Sequence, residues 1–121
     1  MMHNKDKHTE IQQAIQSILN GEAEEIIVKN IRSDLEEYGG SNDIAFLKGT
    51  VKGGVSHFAN KHKEDIDGII DALINGKVTG FMKNRKVYIE QNDYLALLSL
   101  DYFGNKKTWL LTGYKKQIKA V

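Results

Sequence analysis

The chain has 121 residues, a formal net charge of +1, and no cysteine or proline. That is enough for one domain with a modest core, and it excludes disulfide frameworks, thiolate metal sites and cysteine nucleophiles. No apolar run approaches the ~18 residues that a membrane span needs, and the polar start "MMHNKDKHTE" has no apolar stretch of a secretory signal. The expectation is no signal peptide and a cytoplasmic site of action. Charge is divided unevenly. Residues 1–42 carry four Lys/Arg against eight Asp/Glu, and residues 43–121 carry thirteen against eight. A basic C-terminal two-thirds suits an anionic ligand such as RNA or DNA. It suits equally the acidic N-terminal segment of the same chain.

In chain order, residues 9–20 predict an amphipathic helix. Thr9 and Gln12 offer a capping box, and Ile11, Ala14, Ile15, Ile18 and Leu19 form its stripe. Residues 22–38 predict a second helix, with Ala23, Ile27, Ile31, Leu35 and Tyr38 on one side and Gly39-Gly40 as its stop. Together they read as an N-terminal helical hairpin over 9–40. "DIAFLKGT" predicts a short strand. A third helix is expected from about Gly54-Val55 to Asn75-Gly76, with Val55, Phe58, His62, Ile66, Ile69, Ile70 and Leu73 facing the core. Four strands follow, at about 77–83, 85–91, 94–102 and 107–115, with separators short enough for hairpins. The predicted architecture is α+β, in one domain over 1–121: N-terminal helices packed on a twisted antiparallel sheet of four to five strands.

Two stretches carry candidate chemistry. In "KKTWLLTGYKK", period-two alternation puts Lys106, Thr108, Leu110, Thr112 and Tyr114 on one face. It puts Lys107, Trp109, Leu111 and Gly113 on the other, which reads as a core face anchored by the tryptophan. In "GGVSHFANKH", His57 and Lys61 share a helix face, and His62 lies on the apolar stripe, where it suits a core histidine as well as a functional one. The spacing of the two histidines is wrong for zinc, and no metal or other cofactor is expected. Metal-free RNA cleavage needs a base for the ribose 2′-OH, an acid for the leaving 5′-oxygen, and fixed donors around the phosphorane. Histidine suits the first two tasks; lysine, threonine and tyrosine suit the third.

The pair "GGVSHFANKH" and "LDYFGNKKTWLLTGYKK" resembles the phage-associated barnase–EndoU–colicin–RelE-like nucleases, over about residues 43–121. The resemblance implies helices on a twisted antiparallel sheet and a metal-independent ribonuclease of toxin or phage-effector type. Such an enzyme cleaves tRNA or ribosome-associated RNA by 2′-OH attack and leaves a 2′,3′-cyclic phosphate. The matches are His57, Lys61 and His62 in the helical motif, and Lys107, Thr108, Trp109, Thr112 and Tyr114 in the strand motif, with the tryptophan structural. The expected catalytic set is His57, His62, Lys107, Thr112 and Tyr114; Lys61, Lys106 and Thr108 are expected to bind substrate. A cognate antitoxin or immunity protein is an expected partner. The competing expectation is a non-catalytic RNA- or protein-binding module, antitoxin- or immunity-like, on the same fold.

Overall fold

The computed structural model describes residues 4–49, 53–61, 63–82 and 85–116. Its first element is helix α1 (Asn4–Leu19), which begins earlier than the sequence predicts. Ile11, Ala14, Ile15 and Ile18 recur at helical spacing and are buried, whereas Leu19 is exposed. Lys7 is also buried. Its ammonium donates to the Lys29 carbonyl at 2.6 Å and to Glu10 at 3.0 Å, which offsets the cost of desolvating it.

Residues 22–38 are not the predicted helix. They form strand β1 (Glu25–Val28) and a 3-10 turn over Ser33–Tyr38. Ile26, Ile27 and Val28 are three successive β-branched residues, whose stiff χ1 favours extended backbone. Their burial has period two: Val28 is buried and Ile26 packs on the core, while Ile27 is 54 % exposed. Asn30, at φ 58°, then turns the chain, and the Asp43 carboxylate accepts its N–H at 2.9 Å. The 3-10 turn sinks Leu35 into the core. Beside it, Arg32 donates to Asp34 at 2.7 Å and to the Leu73 carbonyl at 3.1 Å. The Arg32 hydrogen bond holds the Asp34 carboxyl below its usual range.

Strand β2 (Ile44–Leu47) is buried at all four positions. The predicted third helix is two: α2 (Val55–Lys61) and α3 (Ile66–Asn75), with a 3-10 turn at Lys63–Asp65 between them. The segment 60–65 reads Asn-Lys-His-Lys-Glu-Asp and offers no aliphatic or aromatic hydrocarbon side chain to hold a straight helix on the core. Four strands follow among the described residues: β3 (Lys77–Met82), β4 (Lys86–Gln91), β5 (Tyr94–Tyr102) and β6 (Asn105–Lys115).

The sheet has six strands, in the order β1-β2-β6-β5-β4-β3. The predicted count of four to five is thus corrected by β1, which lay hidden inside the predicted hairpin. The sheet is also mixed, because β2 runs parallel to β6 while the other pairs are antiparallel. All three helices lie on one face. Ile11, Ile15, Phe58, Ile69 and Leu73 meet Phe46, Ile89, Leu98 and Leu110 in one apolar cluster. No described element covers the opposite face. Among the described residues no helix is long and apolar enough to cross a membrane.

Because α1, β1 and Leu35 belong to that cluster, deleting residues 1–40 is expected to bare Ile70, Leu73 and Phe46 and to cause aggregation on expression. A soluble, monomeric fragment of residues 43–121 with a cooperative melt would show that the core closes without them.

Candidate functional site

The strand with the most informative side chains is β6, and its faces do not alternate as the sequence predicts. Pairing with β5 runs Tyr114 to Leu95, Gly113 to Ala96 and Thr112 to Leu97. It then shifts, so that Leu110 meets Leu98 and Trp109 meets Ser99. Leu111 is the extra residue. A second shift between Ser99 and Asp101 brings Lys106 opposite Asp101. Each bulge adds one residue and reverses the parity of the strand beyond it. Ala96, Leu98 and Leu100 point into the core, so their partners Gly113 and Leu110 do too. A Cβ on Gly113 would stand 2.5 Å from the Ile69 side chain, which confirms the direction.

The open face therefore carries Lys106, Trp109, Thr112 and Tyr114 together, opposite Asp101, Ser99, Leu97 and Leu95. Two expectations change. Thr108 lies on the helix side, is buried, and accepts the Ser41 backbone N–H at 2.9 Å. It does not extend the row of Thr112 and Tyr114. Trp109 is not a core anchor. It is half-buried on the open face, where its indole N–H donates to the Asp101 carbonyl at 2.9 Å and its ring meets Tyr102 edge-on at 5.5 Å.

Lys107 is half-exposed. Its ammonium pairs with Glu25 at 2.9 Å and sits 5.2 Å from the centre of the Tyr102 ring. Here the acidic N-terminal segment meets the basic strand of its own chain. Nearer the end of β6, Lys116 pairs with Glu90, which also accepts the Thr79 hydroxyl. The Lys116 hydrogen bond, followed by that from Thr79, holds the Glu90 carboxyl below its usual range, and Glu90 raises Lys116.

Helix α2 starts beside the Leu111 bulge. The Gly54 N–H donates to the Leu111 carbonyl at 2.8 Å, and the Ser56 N–H donates to the Lys48 carbonyl at 3.0 Å. Val55, Phe58 and Ala59 fill the core, which turns His57 outward to a half-exposed position in the first turn. Lys61 ends α2, and its side chain lies outside the described residues, as does His62. Among the described residues no three His, Asp or Glu side chains are grouped to hold a metal ion.

Sequence reasoning missed the end of β5. Asp101, Tyr102, Phe103 and Trp109 border an apolar pocket of ≈ 310 Å³, closed by Leu47, Leu111, Gly49 and Gly53. The signal was present in "DYFGN", where two adjacent aromatic residues precede a glycine across the end of a predicted strand and its hairpin connection. Comparison with protein-family models, with curated proteins and with solved structures finds no match for this chain.

Proposed function

We propose that this protein is a metal-independent ribonuclease of the barnase–EndoU–colicin–RelE-like kind, a toxin or phage effector that cleaves tRNA or other cellular RNA. The open face at the second half of β6, with the first turn of α2, is its cleavage site. The observation that carries this reading is the join at Leu111. Its carbonyl fixes the start of α2, and the next residue is Thr112 on the open face. His57 follows Gly54 by three residues, about 5 Å along the helix, and in this reading its imidazole reaches round the edge of β6 to the face that bears Thr112, Tyr114 and Lys106.

His57 takes the 2′-OH proton, and the 2′-oxygen attacks phosphorus. Thr112 and Tyr114 place donors around the phosphorane, where negative charge develops. Lys107, expected among them, is held by Glu25 five residues back from Thr112 along β6, roughly 16 Å at strand rise, and does not join them. The P–O5′ bond breaks, the 5′-oxygen takes a proton from solvent water, and a 2′,3′-cyclic phosphate remains. Lys106, on the same face, attracts the RNA backbone.

Purified protein with total RNA in EDTA is expected to give fragments ending in 2′,3′-cyclic phosphate, and to leave DNA intact for want of the 2′-OH. Cleavage only with added Mg²⁺ or Zn²⁺ would overturn the mechanism. Thr112→Val and Tyr114→Phe keep shape and each remove one hydroxyl. Each is expected to slow cleavage by about 10²–10³-fold with the melting temperature nearly unchanged. Wild-type rates in both would make the row a solvated surface.

A second reading is a non-catalytic RNA-binding module. It is favoured by the exposed Tyr102 and Phe103 rings, which offer stacking without chemistry. RNA retained by the protein without any cut ends would select it.

A further inference from the structure

We propose that the pocket between Trp109 and the β5–β6 turn is a base subsite. It takes a purine bearing an exocyclic amine, stacked on Tyr102 and Phe103 and hydrogen-bonded to the Asp101 carboxylate. The proposal deepens the ribonuclease reading and rests on it, because Leu111 joins this pocket to Thr112. Size is the first support: ≈ 310 Å³ is at the small end of ligand sites and accepts a purine ring. The walls are aromatic and aliphatic. Trp109, Tyr102 and Phe103 form a chain of edge-on contacts at 5.5 and 4.7 Å.

The backbone is the second support. The β4–β5 and β5–β6 turns are both two-residue turns with left-handed central residues. The first uses Asn92 (φ 51°) and Asp93 (φ 72°), which tolerate that conformation. The second uses Phe103 (φ 51°) and Gly104 (φ 86°). A bulky residue is strained there, and Phe103 is also 87 % exposed, so no burial compensates it. The edge-on contact with Tyr102 leaves most of the Phe103 ring open to stack a base.

Charge is the third support. Asp101 Oδ2 accepts the Gly104 N–H at 3.2 Å, which leaves carboxylate lone pairs for amine and ring N–H donors. A carboxylate repels the carbonyl oxygens of uracil. Next to the pocket, a hollow of ≈ 450 Å³ shares Leu47, Gly49 and Tyr102 with it, and Lys48 lines it together with Glu24 and Glu25, so the base pocket and not this hollow is the ligand site.

Trp109 is the single tryptophan, so its fluorescence reports the pocket directly. GMP and AMP are expected to change it saturably at millimolar concentration, and UMP to leave it unchanged. Phe103→Ala and Tyr102→Ala are each expected to weaken GMP roughly ten- to hundredfold. Asp101→Asn is expected to remove the preference for GMP over UMP. Phe103→Asn separates function from fold. It should raise the melting temperature by about 3–6 °C, because asparagine suits the turn, while weakening GMP as much as Phe103→Ala does. Equal response to GMP and UMP in the wild type would overturn amine recognition. No response to any nucleotide would overturn the subsite, even if the protein cuts RNA. Saturable GMP binding with RNA left uncut would uphold the pocket and sink the cleavage reading alone.

Discussion

His57→Ala is expected to lose about 10²–10⁴ in the rate of RNA cleavage and to melt within a degree or two of the wild type. The two halves of that expectation come from one helix. Val55, Phe58 and Ala59 supply the contacts of α2 with the core, and each is at most 4 % exposed. His57 is turned out of that cluster, so truncating its ring opens no core cavity and leaves the transfer and void costs of a core substitution out of account. Its chemistry has no substitute nearby. Thr112 and Tyr114 are hydroxyls, and Lys106 and Lys107 are ammonium groups, so no second imidazole stands among the described residues of the proposed site. The measurement is cleavage of total RNA in EDTA, alongside thermal unfolding of the same preparations. A variant that cuts at the wild-type rate would remove His57 from the mechanism. A variant that unfolds would make it a structural residue.

The meander from Lys77 to Lys115 was legible in the sequence because each strand carries its own signal: β-branched and aromatic runs bounded by short polar turns. Helix α1 was legible from Ile11, Ile15 and Ile18 at helical spacing. Residues 22–38 misled because Ile27, Ile31 and Leu35 also fit a period near four. The competing signal, three β-branched residues in succession, wins once β2 is there to pair with it. That partner is long-range and cannot be read locally. The faces of β6 failed for a different reason. Alternation is reliable only while the ladder is regular, and two bulges in eleven residues reversed it twice. Thr112 and Tyr114 kept the face that they were expected to share with Lys106, but Trp109 and Thr108 exchanged sides. Within β6 the only hint of a bulge is Gly113, two residues from Leu111. The cause of the bulge is the register imposed by β5 and by the glycines packed against Leu111.

Those glycines set the largest expected loss of stability. Gly54→Ala is expected to cost about 3–5 kcal/mol, at the upper end for one substitution, and to abolish cleavage with it. Gly54 has φ 96°, where any L side chain is strained. A Cβ there would stand 2.7 Å from the Gly49 Cα and 2.9 Å from the Leu47 carbonyl oxygen. Both are backbone atoms, so no side chain can rotate away to make room. The chain must instead move apart at the crossing, and three hydrogen bonds go with it: Gly54 N–H to Leu111, and the His57 and Phe58 N–H groups to the Gly54 carbonyl. Phe58 then leaves the core and His57 moves with it, so fold and activity are expected to fall together. Gly21→Ala is the control, because Gly21 has a similar φ of 80° but nothing within 4 Å of the added Cβ. It isolates the conformational cost, about 1–2 kcal/mol, from the backbone clash. Thermal and urea unfolding of the two variants should therefore differ by the clash alone. If Gly54→Ala is no less stable than Gly21→Ala, the close approach of Gly54 to Gly49 does not hold α2 against β6, and the proposed reach of His57 to Thr112 loses its support.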